Sequence, residues 1–288
     1  MTLTVGIVNY NTKEHLKRCI HSILDNPPKF DYNIIVVDNH SNDGSKEFLK
    51  SLNKKVISYI LNKDNRGYGS ACNQISKKSL SDYLLFLNSD VIASKGAIDK
   101  LLSFMEEHKE VAVSTGRLFY PDGTLQLPCR SFPTILRTVF GRESLLRKIF
   151  PKNPISKEYL LTDLDYNRVQ FPDWVRGAVM LCRSECFNEI NGFDEIFFLY
   201  LEDTDLCLRL RKRGYKIAYL PDAHFYHSLG TSTRKEELKT KLIHNISMFH
   251  YARKNLGYNH FLLFFILLAL FLRISFLIGS WIIKRMRL

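Results

Sequence analysis

Five carboxylates crowd the twelve residues from Asp194 to Asp205, in a chain whose formal charge is +12. Three of them, Glu202, Asp203 and Asp205, fall in the first turn of a helix predicted to run to Arg213, where acids complement the helix dipole. The dipole accounts for one or two of them. It leaves unexplained the aromatic run Phe197-Phe-Leu-Tyr200 that delivers the acids to that turn. A carboxylate set against apolar rings gains basicity, as a group that removes a proton from a hydroxyl needs. A second possible chemistry lies in Asn88-Ser89-Asp90 and the distant His227. A hard carboxylate and an imidazole together suit Mg²⁺ or Mn²⁺, although a lone histidine is more often a packed or capping residue.

Positioning such groups requires a frame, and the first hundred residues supply one. Leu3–Tyr10, Tyr32–Asp38, Val56–Leu61 and Tyr83–Asn88 read as strands, with Val111–Arg117 as one more. Helices are predicted after Thr12 to Leu24, through Leu52, near Ala71–Ser79 and at Ala97–Glu107. The strands are continuously apolar rather than alternating, which implies burial on both faces, and their alternation with helices implies a parallel sheet. Ligands of such sheets collect at the carboxyl ends of strands. There the chain places Asn9, Asp38, Asn65 with Arg66, and Asn88-Ser89-Asp90. Each alone is an ordinary turn former; four polar strand ends in one sheet point to a polar ligand. No Gly-x-Gly-x-x-Gly follows the first strand and no Walker A loop is present, which argues against a dehydrogenase or a P-loop kinase. Farther on, Trp174–Arg183 and Lys216–Leu220 read as strands and Ser184 as the cap of a short helix ending at Asn191-Gly192.

The 288 residues suit one large domain or two small ones. The 41 Lys and Arg against 29 Asp and Glu point to an anionic partner. No nucleic-acid motif accompanies the charge; the basic residues sit beside apolar ones instead. Phe261–Leu272 is an unbroken apolar run, Arg273 interrupts it, Ile274–Ile283 resumes it, and Lys284-Arg-Met-Arg287 follows. Together they are long enough to span a bilayer as a helix, but the central arginine and the basic residues on both flanks favour a segment lying in or dipping into the cytosolic leaflet. Thr134–Lys152 is a second basic, apolar stretch, suited to an anionic lipid surface or a lipid-linked phosphate; a solvated amphipathic helix explains it equally. Six scattered cysteines and the absence of a secretory signal favour a reducing compartment, hence the cytosolic side.

In their order along the chain, these motifs resemble the glycosyltransferase family 2 enzymes with a GT-A fold, and among them the rhamnosyltransferase-like group of bacterial surface polysaccharide assembly. The matching stretches are Val8–Asn11, Val36–Ser45, Asn65–Asn73, Leu87–Asp90, Gly177–Arg183, Gly192–Asp194, Glu202–Arg209 and His227. The resemblance implies that Asn9, Asp38 and Asn65, with the turn around Asp43, hold the base and ribose of a sugar nucleotide, joined at the donor by Arg66, Asn88 and Gly177. It implies that Asp90 and His227 bind a divalent cation, Mg²⁺ or Mn²⁺. Asp203 matches the catalytic base, with Glu202 the other candidate, and Trp174 lies on the acceptor side. The metal motif departs from many relatives in carrying one carboxylate, Asp90, where they have two, and Asn73 is followed by Gln74 rather than the commoner pattern.

The resulting expectation is an inverting, metal-assisted transfer of a sugar from a nucleotide-diphosphate donor, dTDP- or UDP-linked, to a glycan or lipid-linked glycan. The mostly parallel α/β fold is expected to divide into a nucleotide-sugar half (1–115), an acceptor and catalytic half (116–256) and a membrane-associating helical tail (257–288) that holds the protein at the cytoplasmic face of the cell membrane. A non-catalytic nucleotide-sugar-binding protein derived from such an enzyme is the alternative. A sugar-phosphate nucleotidyltransferase would carry a Gly-rich loop near the N-terminus, and none is seen. Donor sugar, linkage and oligomeric state are not legible.

Overall fold

The computed structural model describes residues 1–52, 55–134, 153–228 and 237–257. Apart from Thr134 and Gly257, the basic stretch Thr134–Lys152 and the tail 257–288 lie outside the described residues. Among the described residues no helix is long and apolar enough to cross a membrane.

Strands β1 (Thr2–Asn9), β2 (Asp31–Asp38), β3 (Ile57–Leu61) and β4 (Tyr83–Asn88) alternate with helices α1 (Lys13–Leu24), α2 (Ser45–Ser51) and α3 (Tyr68–Lys78). After β5 (Val91–Ala93) come α4 (Ala97–Glu107), β6 (Val111–Phe119), and the two-residue strands β7 (Leu125–Gln126) and β8 (Cys129–Arg130). The second half adds α5 (Pro154–Leu160), β9 (Trp174–Val175), β10 (Val179–Arg183), α6 (Ser184–Glu189), α7 (Glu202–Lys212), β11 (Lys216–His227) and α8 (Glu237–Asn255).

The main sheet runs β3-β2-β1-β4-β10-β6-β11-β5, with β7 on β6, while β8 and β9 pair separately. The first four strands are parallel; β1, β2 and β4 carry the expected buried runs, while β3, at the sheet edge, is only half-buried. The sheet as a whole is mixed rather than mostly parallel. β10 enters antiparallel between β4 and β6, and β5 pairs antiparallel with β11. The boundary expected at 115 falls inside β6, and strands from both halves share the one sheet.

Two cores lie on the two faces. Ile34 and Val36 of β2 pack with Leu16, Ile20, Leu49 and Leu101 of α1, α2 and α4. Their neighbours Ile35 and Val37 pack with Ala71 and Ile75 of α3, Phe187 of α6 and Leu206 of α7. Successive strand residues point to opposite faces, so a strand covered on both sides must be apolar at every position. All six cysteines are free and buried within these layers; burial pushes the Cys207 thiol up to about 12, which makes it inert rather than nucleophilic.

Candidate active site

Asn9 and Asp38 end neighbouring strands in register and are fully buried. The Asn9 amide donates to Asp38 Oδ2 at 2.8 Å and to Ser41 Oγ at 3.1 Å, and its carbonyl accepts from Thr12 Oγ1 at 2.7 Å. Asp38 Oδ1 takes the Ser41 amide at 2.9 Å. These residues are brought together, and they hold each other's loops in place. Thr12 stands at the N-cap of α1, but its hydroxyl bonds Asn9 and Ser89 rather than the helix. The helix start is served instead by Asp43, whose Oδ2 accepts the Lys13 amide at 2.7 Å. Asp43 Oδ1 also accepts the Ser45 amide and hydroxyl, at 3.1 and 2.5 Å, at the start of α2. Burial pushes the Asp43 carboxyl up, but the bonds from Ser45 and Lys13 outweigh it and hold it below the usual carboxylate range.

Asn65 shapes the entry to α3: its Oδ1 accepts the Gly67 amide at 3.0 Å. Gly67 is required there. Its φ is +83°, and a Cβ would stand 2.1 Å from the Phe198 carbonyl, which accepts the Tyr68 amide. Arg66 is exposed and pairs with Asp64 at 3.3 Å.

The acid pair diverges. Asp203 Oδ2 accepts the Gly177 amide at 2.9 Å and Oδ1 the Thr204 amide at 2.7 Å. The carboxylate thus faces the turn between β9 and β10, beside the charge of Arg176. Burial raises its pKa, and the bonds from Gly177 and Thr204 with the Arg176 charge only partly offset that rise. Glu202 packs against the start of α3, with its Cβ 3.6 Å from where a Gly69 Cβ would lie. Its Oε2 is buried with no hydrogen-bond partner. Burial and then the neighbouring Asp203 charge push Glu202 well above the usual range. Burial thus disfavours the charged form of Glu202 and leaves its Oε2 without a partner, whereas both oxygens of Asp203 accept backbone amides.

The turn before α7 is unusual. Tyr200 and Leu201 have φ of +70° and +67°, a left-handed conformation that L residues adopt at a cost of about 1–2 kcal/mol each. Ser247 of α8 donates to the Leu199 carbonyl at 2.8 Å, and His244 meets the Tyr200 ring edge-on at 5.4 Å. Fully buried Asp205 binds Arg209 Nε at 2.7 Å, Lys254 Nζ at 2.8 Å and Asn255 Nδ2 at 2.9 Å, tying α8 to α7. The aromatic run read as a polarising wall is in fact partly a scaffold: Phe197 packs with Leu201, Met248 and Tyr251.

His227 reaches Asp90 through sheet register. The antiparallel pairing of β11 with β5 sets His227 opposite Val91, the residue after Asp90. His227 Nε2 then lies 3.3 Å from Asp90 Oδ1, and both side chains are buried. Asn88 Nδ2 is 3.5 Å from the same nitrogen. Cis ligands of an octahedral divalent ion at 2.0–2.1 Å stand about 3 Å apart, so this oxygen and nitrogen fit one such ion. They are two protein donors only; among the described residues no group of three or more His, Cys, Asp or Glu could hold a metal. Two protein ligands suffice where a bound diphosphate completes the shell. The two halves of the site join through Asn88, whose amide donates to the Ala178 carbonyl at 3.0 Å, one residue from Gly177.

Trp174 is buried and its indole N–H donates to the Ser131 carbonyl at 2.8 Å. Three further contributors had no role assigned from the sequence, although two of them, Tyr68 and Asn73, lie in the matching stretch Asn65–Asn73. Tyr68 donates its hydroxyl to the Gly177 carbonyl at 2.8 Å. Asn73 bonds both the amide and the carbonyl of Phe193 and also Glu195 Oε1, pinning the Gly192–Glu195 loop to α3. Gln126 contacts His227 twice.

The model of glycosyl transferase family 2 matches residues 4–160, and that of glycosyl transferase family group 2 matches residues 158–284. The chain belongs to glycosyl transferase family 2. It is similar to the N-acetylglucosaminyl-diphospho-decaprenol L-rhamnosyltransferase of Mycobacterium tuberculosis, 28% identical over 258 residues, 86% of this chain and 82% of that protein. It is also similar to the rhamnosyltransferase WbbL of Escherichia coli, 35% identical over 180 residues, 61% of this chain and 63% of that one. Among solved structures it resembles the mannosyltransferase PcManGT of Pyrobaculum calidifontis in complex with GDP-Man and Mn²⁺, with a TM-score of 0.59 at 12% identity over 89% of this chain and 64% of that one. GalNAc-T7 with UDP, GalNAc and Mn²⁺ matches with a TM-score of 0.61 at 15% identity, over 88% of this chain and 51% of that one. At such identities the likeness is one of fold, and the mixed sheet with helices on both faces is GT-A-like.

Proposed function

We propose that this chain is an inverting glycosyltransferase that moves a sugar, with rhamnose the first candidate, from a nucleotide-diphosphate donor to a glycan or lipid-linked glycan of a cell-surface polysaccharide. The observation that carries this reading is the Asp203 carboxylate, held by the Gly177 amide at 2.9 Å, next to Ala178, whose carbonyl bonds the Asn88 amide at the end of β4. The relatives named as rhamnosyltransferases support the sugar, and the decaprenol-linked name of one supports a lipid-linked acceptor.

In this mechanism Asp90 and His227 hold a divalent cation at the donor diphosphate. When bound, the cation neutralises the charge that develops as the diphosphate leaves. Asp203 accepts the proton of an acceptor hydroxyl while that oxygen bonds to the anomeric carbon. The bond from that carbon to the diphosphate breaks on the opposite side, its electron pair leaving with the phosphate oxygen. Burial raises Asp203 toward the proton affinity a general base needs, while the Gly177 and Thr204 amides fix its direction. Asn9, Asp38 and Asp43 shape the strand-end loops that receive the nucleotide. The stretch Thr134–Lys152 and the tail 257–288 serve the acceptor side, at the cytoplasmic face of the membrane.

The test is calorimetric titration of the full-length protein with UDP, dTDP and GDP, each with Mn²⁺ and with EDTA. Metal-dependent binding of one nucleotide supports the donor class and the Asp90–His227 pair. Tight binding with no turnover of any nucleotide sugar would favour a non-catalytic binding protein, and no binding at all would remove the donor reading.

A further inference from the structure

Gln126 occupies a two-residue strand and is 1% exposed. Its amide makes a double contact with one residue. Nε2 donates to the His227 carbonyl at 2.6 Å, with the Phe119 carbonyl at 3.4 Å, and Oε1 lies 3.0 Å from His227 Nδ1. Carbonyl oxygens only accept, so the NH₂ end of the glutamine must face the two carbonyls. The carbonyl end, which also only accepts, must then face the imidazole. A hydrogen bond there requires the proton on Nδ1, and a neutral ring with Nδ1–H presents a lone pair at Nε2.

Nε2 lies 3.3 Å from Asp90 Oδ1 and 3.5 Å from Asn88 Nδ2, with the imidazole and the carboxylate both buried. An imidazole lone pair and a carboxylate oxygen at that separation are two acceptors that one divalent cation can join. We propose that Gln126 is a positioning residue that fixes the tautomer and the orientation of His227, so that Nε2 and Asp90 form a two-donor seat for a divalent cation. The inference rests on the metal-assisted reading of the site and extends it to Gln126, which acts through His227. Partners that orient a ligating histidine commonly contribute 10–100-fold in metal affinity.

Two measurements on the full-length chain test it. The first is the ¹⁵N ring signal of His227 in metal-free protein labelled on histidine, identified by its loss in His227→Ala and read near pH 8, where free imidazole is neutral. The second is Mn²⁺ affinity with UDP or dTDP present, followed by the resonance of free Mn²⁺, for wild type and Gln126→Met. The expected result is an Nδ1–H tautomer in wild type, and an affinity lowered roughly 10–100-fold in Gln126→Met with nucleotide binding in EDTA unchanged. An Nε2–H tautomer in wild type overturns the proposal even if the variant does not fold. Equal Mn²⁺ affinity in both proteins overturns it while leaving the metal reading intact. A wild-type protein that takes up no Mn²⁺ removes the metal reading itself.

Discussion

The Gly177 amide donates to Asp203 Oδ2 at 2.9 Å, so the carboxylate on α7 is aimed by a turn of the sheet rather than by its helix alone. Replacing Asp203 with Asn keeps the oxygen that accepts this bond and removes the capacity to take a proton. Turnover should fall about 10²–10⁴-fold while nucleotide affinity stays near wild type, measured by transfer kinetics and titration on the same preparation. Because burial raises the Asp203 pKa, the acid limb of kcat should lie above the ordinary aspartate range, with the rate rising as pH rises through it.

Glu202→Gln should behave in the opposite way and keep turnover close to wild type. The folded pKa of Glu202 is raised, by burial first, so the stability of its protonated form is fully present below the unfolded value of about 4.3 and is lost as pH rises through the folded one. Glutamine imitates the protonated acid at every pH. Melting curves should therefore coincide at low pH, and the variant should gain on wild type as pH rises. A dead Glu202→Gln beside an active Asp203→Asn would move the base to Glu202.

Asp43 serves the starts of both α1 and α2, and Asp43→Ala should lower stability by about 1–2 kcal/mol in urea titration. Its depressed pKa means that this contribution is present above the unfolded aspartate value and fades as pH falls through the folded one. Nucleotide affinity measured on the same variant separates this scaffolding from direct contact with the ligand.

Asp205 is fully buried among Arg209, Lys254 and Asn255. Asp205→Ala removes three bonds to the one buried charge and should cost about 3 kcal/mol or more. Lys254→Met leaves Arg209 and Asn255 on Asp205, breaks also the half-exposed pair of Lys254 with Asp194 at 2.6 Å, and should cost about 1–2 kcal/mol. Equal losses in the two variants, read by denaturant unfolding, would show that Lys254 carries the whole cluster.

How far the chain could be read in advance follows from the range of each interaction. Tyr32–Asp38 was legible as a buried strand because alternate residues feed the two cores, a pattern local to seven positions. The antiparallel entry of β10 between β4 and β6 was not, since no local property of Val179–Arg183 says which strands it will join. The nearness of His227 to Asp90 depends on the β11–β5 register; spacing offered the pair only as one option, and the family resemblance pointed to it more strongly. Asn9 and Asp38 were noticed for their place at strand ends, yet the sequence could not show that they bond each other. Gln126 left no signal, because a two-residue strand has no periodicity and a glutamine after a turn is ordinary. The resemblance set Trp174 on the acceptor side, but the sequence could not show that it is buried with its N–H held by Ser131.

The clasp between α7 and α8 also decides where the chain can be cut. Lys254 and Asn255 hold Asp205, two positions from Asp203, and Tyr251 packs with Phe197 and Leu201 beneath the left-handed turn. A deletion made to free the protein from membranes must therefore begin after Gly257. Removed from there, the apolar tail should leave nucleotide binding intact and shift the protein from the membrane pellet to the supernatant. Begun ten residues earlier, the same deletion would take away the footing of α7, and a folding defect would pass for a loss of anchoring.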